Sequence, residues 1–284
     1  MNVGARIRGY AELARPGNAI AAGVLTFVGA FVAGGVAEQS VDAGAAIMAT
    51  VLATGAGNAI NDYFDREIDR INQPDRPIPR GAVTPTGALW YSGALFVGAI
   101  VLALLLPRLA LAIAAINLLA LIAYTKLFKG LPGVGNAVVA YLGGSAFLFG
   151  GAAVGNIGPS AVLFALAALS TLTREIIKDV EDIAGDREEG LNTLPIAIGE
   201  RRSLHIATAL LVVAIVASPL PYLLETFGAA YLAVVVPADA LMLLAVAKSY
   251  DNPTIGQTYL KYGMFVAVLA FVVGRAAVVG GTTI

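Results

Sequence analysis

Cysteine is absent, so the chain has no disulfide framework, no thiol nucleophile and no thiolate-ligated metal. Histidine occurs once, at His205, which excludes multi-histidine metal centres. Charge is scarce as well: 13% of the 284 residues are Asp, Glu, Lys or Arg, about half the share in soluble domains. The 18 basic and 19 acidic side chains nearly cancel, for a formal net charge of −1. That balance excludes a basic nucleic-acid binder and an acidic disordered tail. What the sequence has in abundance is apolar character, with 58% hydrophobic residues and a mean hydropathy of +0.81. The class this leaves is an integral membrane protein.

A hydrocarbon core of roughly 30 Å takes about 20 apolar residues wound as helix. Nine stretches qualify: Gly17–Ala37, Ala43–Asn61, Thr86–Pro107, Leu109–Thr125, two within Leu131–Thr173, then Ser203–Leu224, Thr226–Ala247 and Tyr262–Ile284. The run Leu131–Thr173 has no charge over 43 residues, and the turn-forming Gly155-Asn156-Ile157-Gly158-Pro159 divides it. Pro219, Pro221 and Pro237 are expected to kink their helices. The first stretch is too long for a cleaved leader and is followed by eight more spans, so it reads as retained. No separate soluble domain is expected in residues 1–284. The polar segments 62–81 and 174–202 are the longest. Sixteen of the 18 basic residues fall on the side of the N-terminus, and only Arg108 and Arg275 on the other. This asymmetry predicts a multi-pass cell-membrane protein with a cytoplasmic N-terminus.

Most acidic residues form two clusters. The second span runs into Asn61-Asp62-Tyr63-Phe64-Asp65, then Asp69-Arg70; the sixth runs into Glu175, Lys178-Asp179, Asp182 and Asp186-Arg187. Asp62/Asp65/Asp69/Arg70 and Asp179/Asp182/Asp186/Arg187 share one D-x-x-D-x-x-x-D-R spacing, 117 residues apart. Such recurrence suggests two related halves facing one site. On a continuous helix Asn61, Asp65 and Asp69 form one column with Asp62 beside it, and Glu175, Asp179, Asp182 and Asp186 form another. Like charges on one stripe repel unless cations lie among them. Oxygen donors without His or Cys select Mg²⁺, which keeps several waters and takes one or two carboxylates plus phosphate oxygens. Two facing columns would therefore hold a diphosphate between metal ions. Isolated Glu38 and Asp42 read as helix ends entering water.

Cations lie close by. Arg76 and Arg80 follow the first cluster in a loop stiffened by Pro77 and Pro79, and Arg174 lies one turn before Lys178. Tyr124, Lys126 and Lys129 end the fourth span, and Arg15 opens the first. Arginine gives bidentate contacts to phosphate and lysine a compact charge. Asp239, after Pro237 in the eighth span, is the one intramembrane acid to carry a functional flag, whereas His205 reads as a helix-end residue. Trp90 and many tyrosines fit interface belts, and small residues such as Gly29, Ala33 and Gly143 fit helix packing.

At these residues the sequence resembles the UbiA-type intramembrane prenyltransferases, whose hallmarks are N-x-x-x-D-x-x-x-D after the second helix and D-x-x-x-D after the sixth. Here they read Asn61/Asp65/Asp69 and Asp182/Asp186, with Asp179 one turn earlier and Arg15-Pro16 before the first helix. The resemblance implies an all-α integral membrane protein, nine transmembrane helices bundled around a central cavity that opens toward lipid, with both motifs at its cytoplasmic mouth binding a Mg²⁺–prenyl diphosphate, through two bridging ions. Asn61, Asp65, Asp69, Asp182 and Asp186 would meet the metal or its water, with Asp62 and Asp179 ligating directly or supporting the ligands. Arg174, Lys178 and Lys126 would neutralise diphosphate charge, and Arg15, Arg76 and Arg80 would receive an acceptor phosphate. Relatives carry a denser lysine run than Lys126-Leu127-Phe128-Lys129, so both lysines stay candidates beside Tyr124.

Within the family the similarity is greatest to archaeal members that add a second geranylgeranyl chain to geranylgeranylglyceryl phosphate, the second ether bond of archaeal lipid. The implied partners are a prenyl diphosphate donor, a lipid-like acceptor and the bilayer, with no nucleic acid and no obligate protein partner. The alternative within the enzyme class is an aromatic or tetrapyrrole acceptor. The alternative outside it is a cation transporter, disfavoured because the acids gather at one face and not at the bilayer midplane.

Overall fold

The computed structural model describes residues 3–128 and 130–281, and among these the chain is helical with no strand. The first half comprises α1 (Val3–Ala14), α2 (Pro16–Ala33), α3 (Ser40–Phe64), α4 (Arg66–Asn72), α5 (Pro85–Leu104), α6 (Arg108–Ala123) and α7 (Val134–Ala153). The second comprises α8 (Gly158–Glu181), α9 (Ile183–Glu188), α10 (Leu194–Ile198), α11 (Glu200–Ala217), α12 (Leu220–Leu223), α13 (Ala229–Ser249) and α14 (Pro253–Val279). Eight of these are long and apolar enough to cross a bilayer. The expected fourth span corresponds to α6, whose 16 residues reach about 24 Å, short of the hydrocarbon thickness. A π-helical turn, Tyr124–Phe128, continues it.

Helix ends follow local chemistry. Thr84 accepts the Gly87 N–H at the start of α5, ahead of Pro85. Asn252 does the same for Ile255 at 3.1 Å, again with Pro next, so α14 begins nine residues before the expected Tyr262. Gly155, with φ 77°, makes the turn between α7 and α8. Of the three prolines expected to kink, Pro219 and Pro221 lie where α11 has ended and the short α12 follows, whereas α13 runs through Pro237 uninterrupted.

Large side chains such as Val101, Leu104, Leu119 and Val216 point outward, where lipid is as apolar as any core. Interior contacts therefore favour small residues that let backbones close up. The seam between α2 and α7 is the extreme case. A Cβ added to Gly29 would lie 2.1 Å from the Phe147 carbonyl oxygen, and one on Gly150 would lie 2.0 Å from that of Thr26. Around this seam Val28, Val32, Phe147, Leu163, Tyr231 and Phe271 form one core cluster, and Ile176, Ile177, Leu211, Met242 and Leu260 belong to a second.

The seam also fixes direction. Gly29 meets Phe147 and Gly35 meets Val154, so α2 and α7 run parallel. Gly29 and Phe147 each lie thirteen residues past their helix's first residue, which puts Arg15 and the start of α7 at the same end of the bundle.

Candidate functional site

The first acidic cluster is built on an interrupted helix. α3 stops at Phe64, Asp65 takes φ −84° and ψ 1°, and α4 resumes at Arg66. Backbone bonds from Asp65 N–H to the Asn61 oxygen (2.9 Å) and from Asp69 N–H to the Asp65 oxygen (2.8 Å) carry helical spacing across the break. Asp62 and Asp69, two turns apart, are both buried, and Arg76 reaches between them. Its Nη1 donates to Asp69 Oδ2 at 2.6 Å and to Asp62 Oδ1 at 3.4 Å. Arg15 Nη2 donates to the same Asp62 oxygen at 2.5 Å. Arg15 sits between α1 and α2 with a left-handed backbone, φ 46°, and the neighbouring Ala14 carbonyl accepts from Asn58 Nδ2 at 3.0 Å. Arg80 pairs with Glu12, which also takes Arg8 at 2.8 Å. These hydrogen bonds, Arg80 first, hold the Glu12 carboxyl below its usual range.

Exposure divides the expected column Asn61/Asp65/Asp69: Asn61 and Asp65 are exposed, and Asp69 is buried with Asp62. The two buried carboxylates are the ones that meet guanidinium groups.

The second cluster repeats the local form. α8 ends at Glu181, Asp182 takes φ −95° and ψ 6°, and α9 starts at Ile183. Again two backbone bonds bridge the break, Asp182 N–H to Lys178 and Asp186 N–H to Asp182, both at 2.9 Å. Asp182 is exposed, whereas Glu175, Asp179 and Asp186 are half-buried. Asp179 Oδ2 accepts from Asn136 Nδ2 at 2.8 Å, and Asp186 Oδ2 is buried without a hydrogen-bond partner. Arg174 donates to Gln257 Oε1 at 2.9 Å and to Glu175 Oε1 at 3.1 Å, and Lys178 Nζ stands 3.6 Å from Glu175 Oε2. Tyr124, at the start of the π-helical turn, is half-buried. Lys126 belongs to that turn, and Lys129 lies outside the described residues.

Asp62 is tied to Arg15 and Asp179 to Asn136, and those partners stand at one end of the parallel α2 and α7, so both clusters occupy that end. Their electrostatics differ. The inward pair of the first cluster is neutralised by Arg15 and Arg76, whereas Asp179 and Asp186 have no ion pair among the described residues. Among the described residues no three acidic side chains stand close enough to form a ready-made metal cage. Magnesium does not need one, since it binds through one or two carboxylates plus phosphate oxygens and water. The all-oxygen donor set and the unpartnered Asp186 oxygen fit that ion.

The model of the UbiA prenyltransferase family matches residues 22–269. The chain belongs to the UbiA prenyltransferase family. A digeranylgeranylglyceryl phosphate synthase from Natronomonas pharaonis is 66% identical over 275 residues, covering 96% of this chain and 99% of the relative. A solved structure concerning digeranylgeranylglyceryl phosphate synthase in membranes superposes with a TM-score of 0.86 at 38% identity, covering 95% of this chain and 98% of that one. A UbiA homolog from Archaeoglobus fulgidus, solved with GPP and Mg²⁺, shares the fold at a TM-score of 0.66 and 19% identity over 95% and 99% of the two chains.

In this UbiA prenyltransferase several site residues escape a reading of the sequence. Asn136 was signalled only as a polar side chain within an uncharged run. Gln257 lies in a stretch expected to precede the last span, where the Asn252-Pro253 cap was the available cue. Glu12 and Asn58 carried no signal at all. The partner of Asp239 is Ser218, whose hydroxyl donates to Oδ2 at 2.5 Å from beyond the end of α11.

Proposed function

We propose that the chain transfers a geranylgeranyl group from geranylgeranyl diphosphate to the free hydroxyl of geranylgeranylglyceryl phosphate, releasing diphosphate and closing the second ether bond of archaeal lipid. The observation that carries this reading is the same interrupted-helix acidic motif occurring twice at one end of a membrane bundle, in a chain 66% identical to a synthase named for that product. A nine-span topology with a cytoplasmic N-terminus and cytoplasmic active site is part of the proposal. Two facts support the ninth crossing. Leu106 and Ala110 pack with Ala152 and Ala153, at the end of the bundle away from the acids, and the chain is back at the acidic end when α7 begins.

Asp65, Asp69, Asp182 and Asp186 are the proposed magnesium-binding carboxylates, with Asn61, Asp62 and Asp179 beside them; two ions are proposed. When bound, Mg²⁺ stabilises the charge that builds on the leaving diphosphate. Arg174, Lys178, Lys126, Lys129 and Tyr124 supply donors for the remaining phosphate oxygens. The C1–O bond of the donor breaks, its electron pair leaves with diphosphate, and the acceptor oxygen bonds to C1. Apolar helices below the acids exclude water from the allylic carbon. Asp62 is held by two arginines, so released diphosphate is the better-placed acceptor for the hydroxyl proton. Arg15, Arg76 and Arg80 keep 40%, 31% and 37% of their side chains exposed while ion-paired, and they are the proposed contacts for the acceptor phosphate.

The test is product mass spectrometry on purified protein given both substrates. A digeranylgeranyl product formed with Mg²⁺ and abolished by EDTA is expected. Product from an aromatic acceptor alone, or metal flux without turnover, would overturn the reading. In the same assay Arg80→Gln is expected to raise the acceptor KM about 10-fold, the scale of one charge-assisted hydrogen bond, and to leave the donor KM within about two-fold. The reverse split would remove Arg80 from the acceptor site.

A further inference from the structure

Below the acidic end lies a cavity of about 180 Å³ between α2, α7, α8, α13 and α14. Its upper wall includes Thr171, one turn from Arg174 and Glu175, and its lower wall includes Leu163, Val235 and Phe271. Ser170 and Thr171 add hydroxyls to the upper wall, and the rest of the lining is apolar except at the bottom. There Asp239, nine-tenths buried, accepts from Ser218 Oγ, while its Oδ1 is buried with no hydrogen-bond partner. Tyr231 donates to the Ser218 carbonyl oxygen at 2.7 Å, and its ring packs edge-on to Phe271, centroids 5.2 Å apart.

We propose that Asp239 and Ser218 form a polar floor beneath the far end of the prenyl chain and set the donor length that the enzyme accepts. The inference rests on the reading that a prenyl diphosphate sits at the acidic end, and it adds the residues that measure the chain.

Depth carries the argument. Leu163 stands sixteen residues below Asp179 on α8, about 24 Å at 1.5 Å per residue. A second route agrees. Thr208 and Tyr250 touch through their hydroxyls, and Ser218 and Asp239 lie ten and eleven residues below them on converging helices, about 15–16 Å. Thr173, hydrogen-bonded to the Ala207 carbonyl oxygen, sets the same height on α8, six residues below Asp179. A geranylgeranyl group has sixteen chain carbons and extends about 19 Å with carbon–carbon bonds of about 1.5 Å. Together with its diphosphate it spans the distance from the acids to the floor. The cavity is of the size that admits a benzene-like group, about 150 Å³, which suits the last isoprene unit. A fifth unit would be forced against a carboxyl oxygen and a hydroxyl. Apolar walls alone discriminate chain length weakly, whereas polar groups buried against hydrocarbon reject it strongly.

The first test uses a donor analogue with a photoreactive diazirine on its terminal isoprene. Cross-links to Ser218 or to residues 235–242 are expected, and cross-links confined to other helices overturn the proposal. The second is competition between C20 and C25 donors, read as the ratio of products. Asp239→Ala is expected to raise the C25 share at least about 10-fold, the order by which an added apolar group is otherwise discriminated, and Ser218→Ala to raise it less. An unchanged ratio in a folded Asp239→Ala enzyme that still consumes the C20 donor also overturns it. Should Asp239→Ala not fold, Val235→Phe narrows the cavity from the same helix and is expected to shift preference from C20 toward C15; unchanged preference counts against the proposal. Failure of the wild-type protein to consume any prenyl diphosphate strikes the functional reading instead, because cross-linking reports chain placement without turnover.

Discussion

Asp186→Ala is expected to lower kcat/KM by about 10²–10³-fold, the loss that follows removal of one group stabilising transition-state charge. Thermal unfolding of the same variant in detergent should stay within about 2 °C of wild type. The two outcomes are separable because of how Asp186 is held. One of its oxygens is buried without a partner, and no guanidinium or ammonium faces it within salt-bridge distance among the described residues. Truncation therefore removes an unpaired acceptor and strands no cation. A folded Asp186→Ala protein with unaltered turnover would show that the second acidic cluster does not meet the diphosphate.

Asp62→Ala has the opposite profile and should damage folding and turnover together. Asp62 is buried between Arg15 and Arg76, and its loss leaves both without their shared oxygen. Removing one partner of a fully buried pair costs about 3–5 kcal/mol, but both arginines are about a third exposed, so about 1–3 kcal/mol is expected after screening. At about 2–4 °C per kcal/mol for a chain of this size, the unfolding midpoint falls by several degrees. Activity falls as well, because Arg76 bridges Asp62 to Asp69 and loses one of its two anchors. Adding Arg15→Gln to Asp62→Ala should return part of the lost stability, since the ion pair of Arg15 is with Asp62, whereas Arg76 keeps Asp69. A double variant less stable than the sum of the two single changes would refute this account of the pair.

Much of this organisation was legible before any coordinates. Charge-free runs marked the long helices, because hydrocarbon length dictates span length and tolerates almost no charge. The recurrence of D-x-x-D-x-x-x-D-R marked both acidic clusters, and of the two arginines expected beside the first, Arg76 meets it and Arg80 pairs with Glu12. Which carboxylates face inward was not legible. Arg15 and Arg76 meet the buried Asp62 and Asp69, and Asn136 meets Asp179, pairings that the spacing of the acids does not contain. Gln257 and Asn136 were illegible for another reason. They reach the site from helices distant in sequence, 83 residues from Arg174 and 43 from Asp179, and only packing shows the meeting.

The α2–α7 seam has a bearing on how the enzyme handles its substrates. Backbone meets backbone there with no side chain between, so the two helices have no compressible layer through which to slide or tilt. Arg15 anchors one acidic cluster to the head of α2, and Asn136 anchors the other to the head of α7. The two clusters thereby share one base, the close-packed α2–α7 pair. Whatever adjustment differing headgroups require falls to α4 and α9, the short segments that hang beyond the two breaks.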